Sequence, residues 1–221
     1  MIDGIRLKFC GLTTLVDVEM ADRLGVDFLG FILYAKSPRY LSLRQYVDMS
    51  PRLPDGRKRV AVMVEPTEAE LAEVQAAGFA RFQVHHRWEV EAEVLKGWSE
   101  QVGRDRLWLA PKLPPERDLP SAVLDATATV LADTYHRGGF GGSGRTGDWA
   151  RFARLQRENP EHLWILAGGL TPGNVGSVLD QSEAKFIDVS SGIEAAPGIK
   201  DHGKMKALVL AVHRARTGEV K

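Results

Sequence analysis

The sequence predicts a single (β/α)8 barrel over residues 1–221. Short apolar runs alternate with amphipathic helical patterns, the alternation repeats eight times with short connections, and a length of 221 residues is within the range of one such barrel. Counting alone leaves a doubly wound open sheet as the alternative.

The first apolar run covers residues 5–10 and ends at Cys10-Gly11; a Thr13-Thr14 cap then leads into a helix with Leu15, Val18, Ala21 and Leu24 on one side. Residues 27–33 read as the second strand, followed by the loop 34–40 and a helix over 42–49. The third strand is 59–64. Thr67 caps the helix after it, and Glu70 three residues on gives a capping-box spacing. The fourth strand is 79–85 with a helix over 89–102, and the fifth is 106–111, before a proline-rich stretch, 112–120, that obscures the next helix. The sixth ends near Asp133, and Asp148 reads as the N-cap of the helix carrying Trp149, Phe152 and Leu155. The seventh is 163–167, with Thr171 as cap and Pro172 in the first turn of its helix; the eighth is 185–190, with a last helix over 201–216.

Lys+Arg and Asp+Glu both number 29, so no net field attracts nucleic acid or an anionic membrane, and an anionic ligand has to be held by local groups. The start lacks the basic and apolar regions of a signal peptide and no apolar run approaches a membrane span, so the expectation is a cytoplasmic protein. Cys10 is the only cysteine, which excludes an internal disulfide and a multi-cysteine metal site.

In a barrel of this kind the chemistry sits at the C-terminal ends of the strands. There the first strand offers Cys10, the loop after the second Arg39, the fourth strand His85 and the sixth Asp133. Six glycines within residues 138–147 follow Asp133, and such a loop is either a plain connector or a cradle whose N–H groups approach an anion. Gly168-Gly169 and Ser190-Ser191-Gly192 follow the seventh and eighth strands, where this fold recurrently builds a phosphate site from backbone N–H groups. Two roles stay open for His85, substrate contact or packing, and two for Asp188, binding substrate or orienting the last loop. His86, His136, His162, His202 and His213 read as surface or unassigned.

These residues carry a resemblance to the phosphoribosylanthranilate isomerases of tryptophan biosynthesis. It rests on Lys8-Phe9-Cys10-Gly11, Gly30-Phe31-Ile32, Ser37-Pro38-Arg39-Tyr40, Gln83-Val84-His85, Leu131-Ala132-Asp133-Thr134, Gly141-Gly142-Ser143-Gly144-Arg145-Thr146, Ala167-Gly168-Gly169-Leu170 and Asp188-Val189-Ser190-Ser191-Gly192-Ile193-Glu194, in order and at strand ends. The resemblance implies Cys10 as general base, Asp133 as general acid and Arg39 as anchor for the anthranilate carboxylate. His85, Gly142, Ser143, Gly144 and Asp188 would contact substrate, and Gly168, Gly169, Ser190, Ser191 and Gly192 would hold its phosphate. It implies an Amadori rearrangement of a small phosphosugar with no metal and no cofactor, by a monomer or homodimer. The chain departs from the family's pattern at His86, where glycine usually follows the strand-four histidine, and at Gly147, where an aromatic is usual.

A related isomerase of histidine biosynthesis would call for acidic residues where Cys10 stands and a second glycine cradle after the third strand, where Glu65-Pro66 stand. A metal-dependent epimerase would need several His and Asp ligands at strand ends. A non-catalytic phosphosugar-binding barrel would be expected to lose Cys10 or Asp133.

Overall fold

The computed structural model describes residues 1–54, 56–133 and 148–218. Eight parallel strands close into a barrel in sequence order: β1 (Arg6–Cys10), β2 (Phe28–Ile32), β3 (Arg59–Val64), β4 (Arg81–Arg87), β5 (Leu107–Lys112), β6 (Thr129–Ala132), β7 (Leu163–Ala167) and β8 (Phe186–Val189). Closure pairs β1 with β8, Lys8 lying opposite Asp188, and this decides for the barrel over the open sheet. Helices α1 (Leu15–Arg23), α2 (Leu43–Met49), α3 (Glu68–Ala76), α4 (Ala92–Val102), α5 (Ser121–Ala126), α6 (Trp149–Glu158), α7 (Val175–Ser182) and α8 (His202–Thr217) follow the strands in turn.

Capping residues start the helices as their chemistry dictates. The Thr14 side chain accepts from Asp17 N, Thr67 and Glu70 form a reciprocal capping box, and Asp148 accepts from Arg151 N. The seventh helix departs from expectation. It begins at Val175 with Asn174 as the preceding residue, and Thr171 is not its cap. The Asn174 side chain takes over the turn instead, Oδ1 accepting from Thr171 N and Nδ2 donating to Gly169 O, so a compact turn separates the glycine pair from the helix.

Strand four also sits two residues later than its hydrophobic run implies. Phe79 is spent on a cluster outside the barrel, stacked on Tyr46 at 3.9 Å between ring centroids, and the ladder starts where Arg81 pairs with Val60. His86 therefore lies inside β4 and is buried rather than on the surface; its Nδ1 is 2.8 Å from Arg87 O and its ring lies beside Trp98 of α4.

Alternation along the strands sorts two cores. Leu7, Phe9, Leu29, Phe31, Phe82 and Val84 face the helices, while Val60, Val62, Trp108, Ala110, Ile165 and Phe186 fill the interior. Phe28, Trp108 and Phe186 form an aromatic floor, with centroids 5.0 to 5.6 Å apart and edge-to-face or stacked rings. Past β8 a short 3-10 turn (Ser191–Ile193) and a two-stranded hairpin, β9 (Glu194–Ala196) with β10 (Ile199–Lys200), precede α8. The hydrophobic pattern did not announce this hairpin, because five residues of mixed polarity carry no period.

Candidate active site

One pocket opens at the C-terminal ends of the strands, and its lining includes Cys10, Arg39, His85, Asp133, Gly168, Gly169, Asp188, Ser190 and Ser191. The barrel thus brings together all but four of the residues singled out from the sequence. Gly142, Ser143 and Gly144 lie outside the described residues. Gly192 is the fourth. A Cβ on it would fall 1.8 Å from Leu170 O, so this glycine packs flush on the backbone of the β7 turn and is not among the residues lining the cavity.

Cys10 and Asp133 occupy equivalent places on different sides of the mouth, one as the last residue of β1 and the other just past β6. Cys10 is 5% exposed. Burial pushes its thiol up from the ordinary value, the Lys8 ammonium pulls it down, Asp188 pushes it up again, and the balance is a raised pKa.

Arg39 is held from behind. Its Nε and Nη2 donate to Oε1 and Oε2 of Glu194, each at 2.8 Å, and Lys200 Nζ donates to Glu194 Oε1 at 2.8 Å and to Ser190 O at 3.2 Å. Donating to Glu194 raises the guanidinium's pKa above its ordinary value, while on Glu194 the push of burial is outweighed by Arg39 and Lys200, which leave the carboxylate well ionised. One edge of the guanidinium is thereby committed, and Nη1 makes no hydrogen bond or ion pair among the described residues. Neither Glu194 nor Lys200 emerges from sequence reasoning as a site residue. The only signal was Glu194 closing the Ser190-Ser191-Gly192-Ile193-Glu194 run.

His85 shares the inner face of β4 with Gln83, whose amide Nε2 donates to His85 Nε2 at 2.8 Å, leaving the ring proton on Nδ1. Burial, then Lys8 and His86, push the His85 pKa down to about 3, so the ring is neutral in the pocket. The folded value lies below the unfolded one, so protons favour the unfolded chain. Stability present above pH 6.5 should be lost progressively as pH falls toward 3. Urea midpoints of the wild type and His85→Asn should accordingly converge on acidification; a gap independent of pH would refute this.

Gly168 and Gly169 take φ of 92° and 66°, a left-handed backbone that favours glycine, and both line the pocket without a side chain. The helix N-terminus expected behind them is absent, because the Asn174 turn intervenes and only the three-residue 3-10 turn follows β8. Among the described residues no group of three or more His, Cys, Asp or Glu could hold a metal ion, and no helix is long and apolar enough to cross a membrane.

Residues 7–211 match the family described as N-(5'phosphoribosyl)anthranilate (PRA) isomerase. The N-(5'-phosphoribosyl)anthranilate isomerase of Synechococcus elongatus is 36% identical over 216 residues, which cover 96% of this chain and 97% of that one. Among solved structures, the phosphoribosyl anthranilate isomerase of Thermotoga maritima superposes with a TM-score of 0.78 at 31% identity, over 97% of this chain and 100% of its own. A phosphoribosyl anthranilate isomerase solved in complex with reduced 1-(o-carboxyphenylamino)-1-deoxyribulose 5-phosphate superposes at 0.75 with 29% identity, again over 97% and 100%. Likeness of this extent, running through the strands whose ends build the pocket, means that the chain belongs to the N-(5'-phosphoribosyl)anthranilate isomerase family.

Proposed function

We propose that Cys10 and Asp133 are the base and the acid with which this isomerase of tryptophan biosynthesis turns N-(5'-phosphoribosyl)anthranilate into 1-(2-carboxyphenylamino)-1-deoxyribulose 5-phosphate. The observation that carries the assignment is the convergence of Cys10, Asp133, Arg39 and the turns after β7 and β8 on one cavity. Asp133 protonates the ribose ring oxygen as the C1–O bond opens to an iminium; Cys10 then takes the C2 proton, and the resulting enolamine tautomerises to the aminoketose. The protonated imine is itself the electron sink, so the residues named suffice for the proton transfers. Arg39 binds the anthranilate carboxylate, and amides of Gly168, Gly169 and Ser191 bind the phosphate, with Ser190 and Gly192 shaping that turn. Asp188 Oδ1 is buried and without a hydrogen-bond partner among the described residues, which favours substrate contact over a loop-orienting role.

Turnover tests the whole reading: purified protein should abolish the fluorescence of phosphoribosylanthranilate, and a protein that leaves it intact refutes it. Arg39→Ala should raise KM roughly 10- to 100-fold by loss of a charge-assisted contact worth about 1.5 to 3 kcal/mol, with lysine restoring only part. Glu194→Gln should raise KM less, because it loosens the guanidinium without removing it. An unchanged KM in Arg39→Ala removes Arg39 from carboxylate binding.

A further inference from the structure

Beside Asp188, one of the pocket's lining residues, lies a buried charge that the acid–base scheme leaves unused. Lys8 is 0% exposed, on the inward face of β1 two residues before Cys10, and its Nζ lies 2.9 Å from Asp188 Oδ2. Room for it comes from β2. A Cβ on Gly30, the residue paired with Cys10 across the ladder, would meet both Lys8 Cε and Lys8 Nζ at 2.9 Å and Cys10 Cα at 3.1 Å. The ammonium is thus lodged over the glycine that pairs with Cys10 across the ladder.

An ammonium with no solvent contact is costly to bury unless its donors are used, and one carboxylate oxygen engages only one of three. We infer that Lys8 is a positioning residue for the reaction, whose ammonium bridges Asp188 and Cys10 and sets how readily the Cys10 sulfur gives up and regains its proton. Burial works against the ammonium, but Asp188 first and Cys10 second hold it protonated, which is the condition for such a bridge. The charged groups that act on Cys10 come from its own strand and its neighbours: Lys8 from β1, Asp188 from β8, Lys200 from the β9–β10 hairpin and Arg39 from the loop after β2, the last two shared with Glu194. His85, neutral, and Asp133 line the same cavity. Of the three cations Lys8 acts most strongly on the thiol, and Asp188 opposes it.

The inference rests on Cys10 being the base, yet its test does not depend on activity. Cys10 is the sole cysteine, so thiolate absorbance near the ultraviolet cutoff titrates that one group in the intact protein. Removing a cation at this range should raise the thiolate pKa by about one to three units in Lys8→Met, and the limb of log kcat against pH that reports the base should move with it. Asp188→Asn, which keeps a partner for the ammonium, should move the thiolate titration the other way. Opposite shifts from the two ends of one ion pair are not produced by loosened packing. A titration in Lys8→Met that coincides with the wild type or moves down overturns the inference. If Lys8→Met does not fold, Asp188→Asn decides: a downward shift supports the bridge, and an unmoved or upward one overturns it. Retained turnover in Cys10→Ala would instead remove the base itself while leaving the titration result intact, so the two readings fail separately.

Discussion

Cys10→Ala and Asp133→Asn should each lower kcat by roughly 10²- to 10⁴-fold with KM little changed, the loss expected of a positioned base or acid. The reason lies in what each group touches. In the proposed scheme Arg39 and the turns after β7 and β8 supply binding, whereas Cys10 and Asp133, at the ends of β1 and β6 on the same cavity, move protons. The substitutions should also differ in their pH dependence. Burial has already raised the thiol, so the wild-type rate should climb on the basic side as Cys10 loses its proton, and Cys10→Ala should flatten that limb while Asp133→Asn leaves it in place. Steady-state kinetics with phosphoribosylanthranilate across pH checks both effects, and near-normal kcat in either variant removes that residue from the scheme.

Gly169→Val should abolish phosphate recognition. At a φ of 66° a β-branched residue is strained by about 1 to 3 kcal/mol, and its side chain would stand where the anion approaches the backbone. Inorganic phosphate should compete with substrate in the wild type, and Gly169→Val should lose that inhibition together with substrate affinity. Lys185→Ala is the control. Lys185 precedes β8 at the far end of the barrel, where its carbonyl accepts from Arg6 N, and its removal should leave inhibition unaltered. A melting temperature for each variant separates lost binding from lost fold. Phosphate inhibition unaltered in Gly169→Val would place the anion elsewhere and take the proposed cradle with it.

Lys200 bears on that cradle. No lysine or arginine occurs within the turns after β7 and β8, which is why backbone amides were expected to carry the phosphate unaided. The β9–β10 hairpin returns Lys200 Nζ to Ser190 O and Glu194, so a cation stands behind the eighth-strand turn after all. Burial pulls its pKa down against the hold of Glu194, and the carboxylate and the Ser190 carbonyl occupy its donors, so the proposed cradle still relies on backbone amides.

The sequence by itself determined the order of the elements, most of the caps and the strand ends at which Cys10, Arg39, His85 and Asp133 stand. These are local properties. An apolar run followed by a turn and a capped amphipathic helix is written in fewer than thirty consecutive residues, and eight such units admit few arrangements. Where local signals conflicted with packing, packing won: Phe79 looked like the start of a strand and went to the cluster with Tyr46, and Thr171 looked like a cap and yielded to Asn174. Only the tertiary structure decided the interior polar layer. The Lys8–Asp188 pair joins residues 180 apart and the Arg39–Glu194 pair residues 155 apart, and both exist because barrel closure sets β8 against β1 in one register. Gly30 and Gly192 are of the same kind, since each is a glycine because of a neighbour that comes from a distant strand or turn, Lys8 in one case and Leu170 in the other. Periodicity reports which face of an element is buried; which charged group waits on the opposite strand is settled by the register of closure, and no stretch of local sequence contains it.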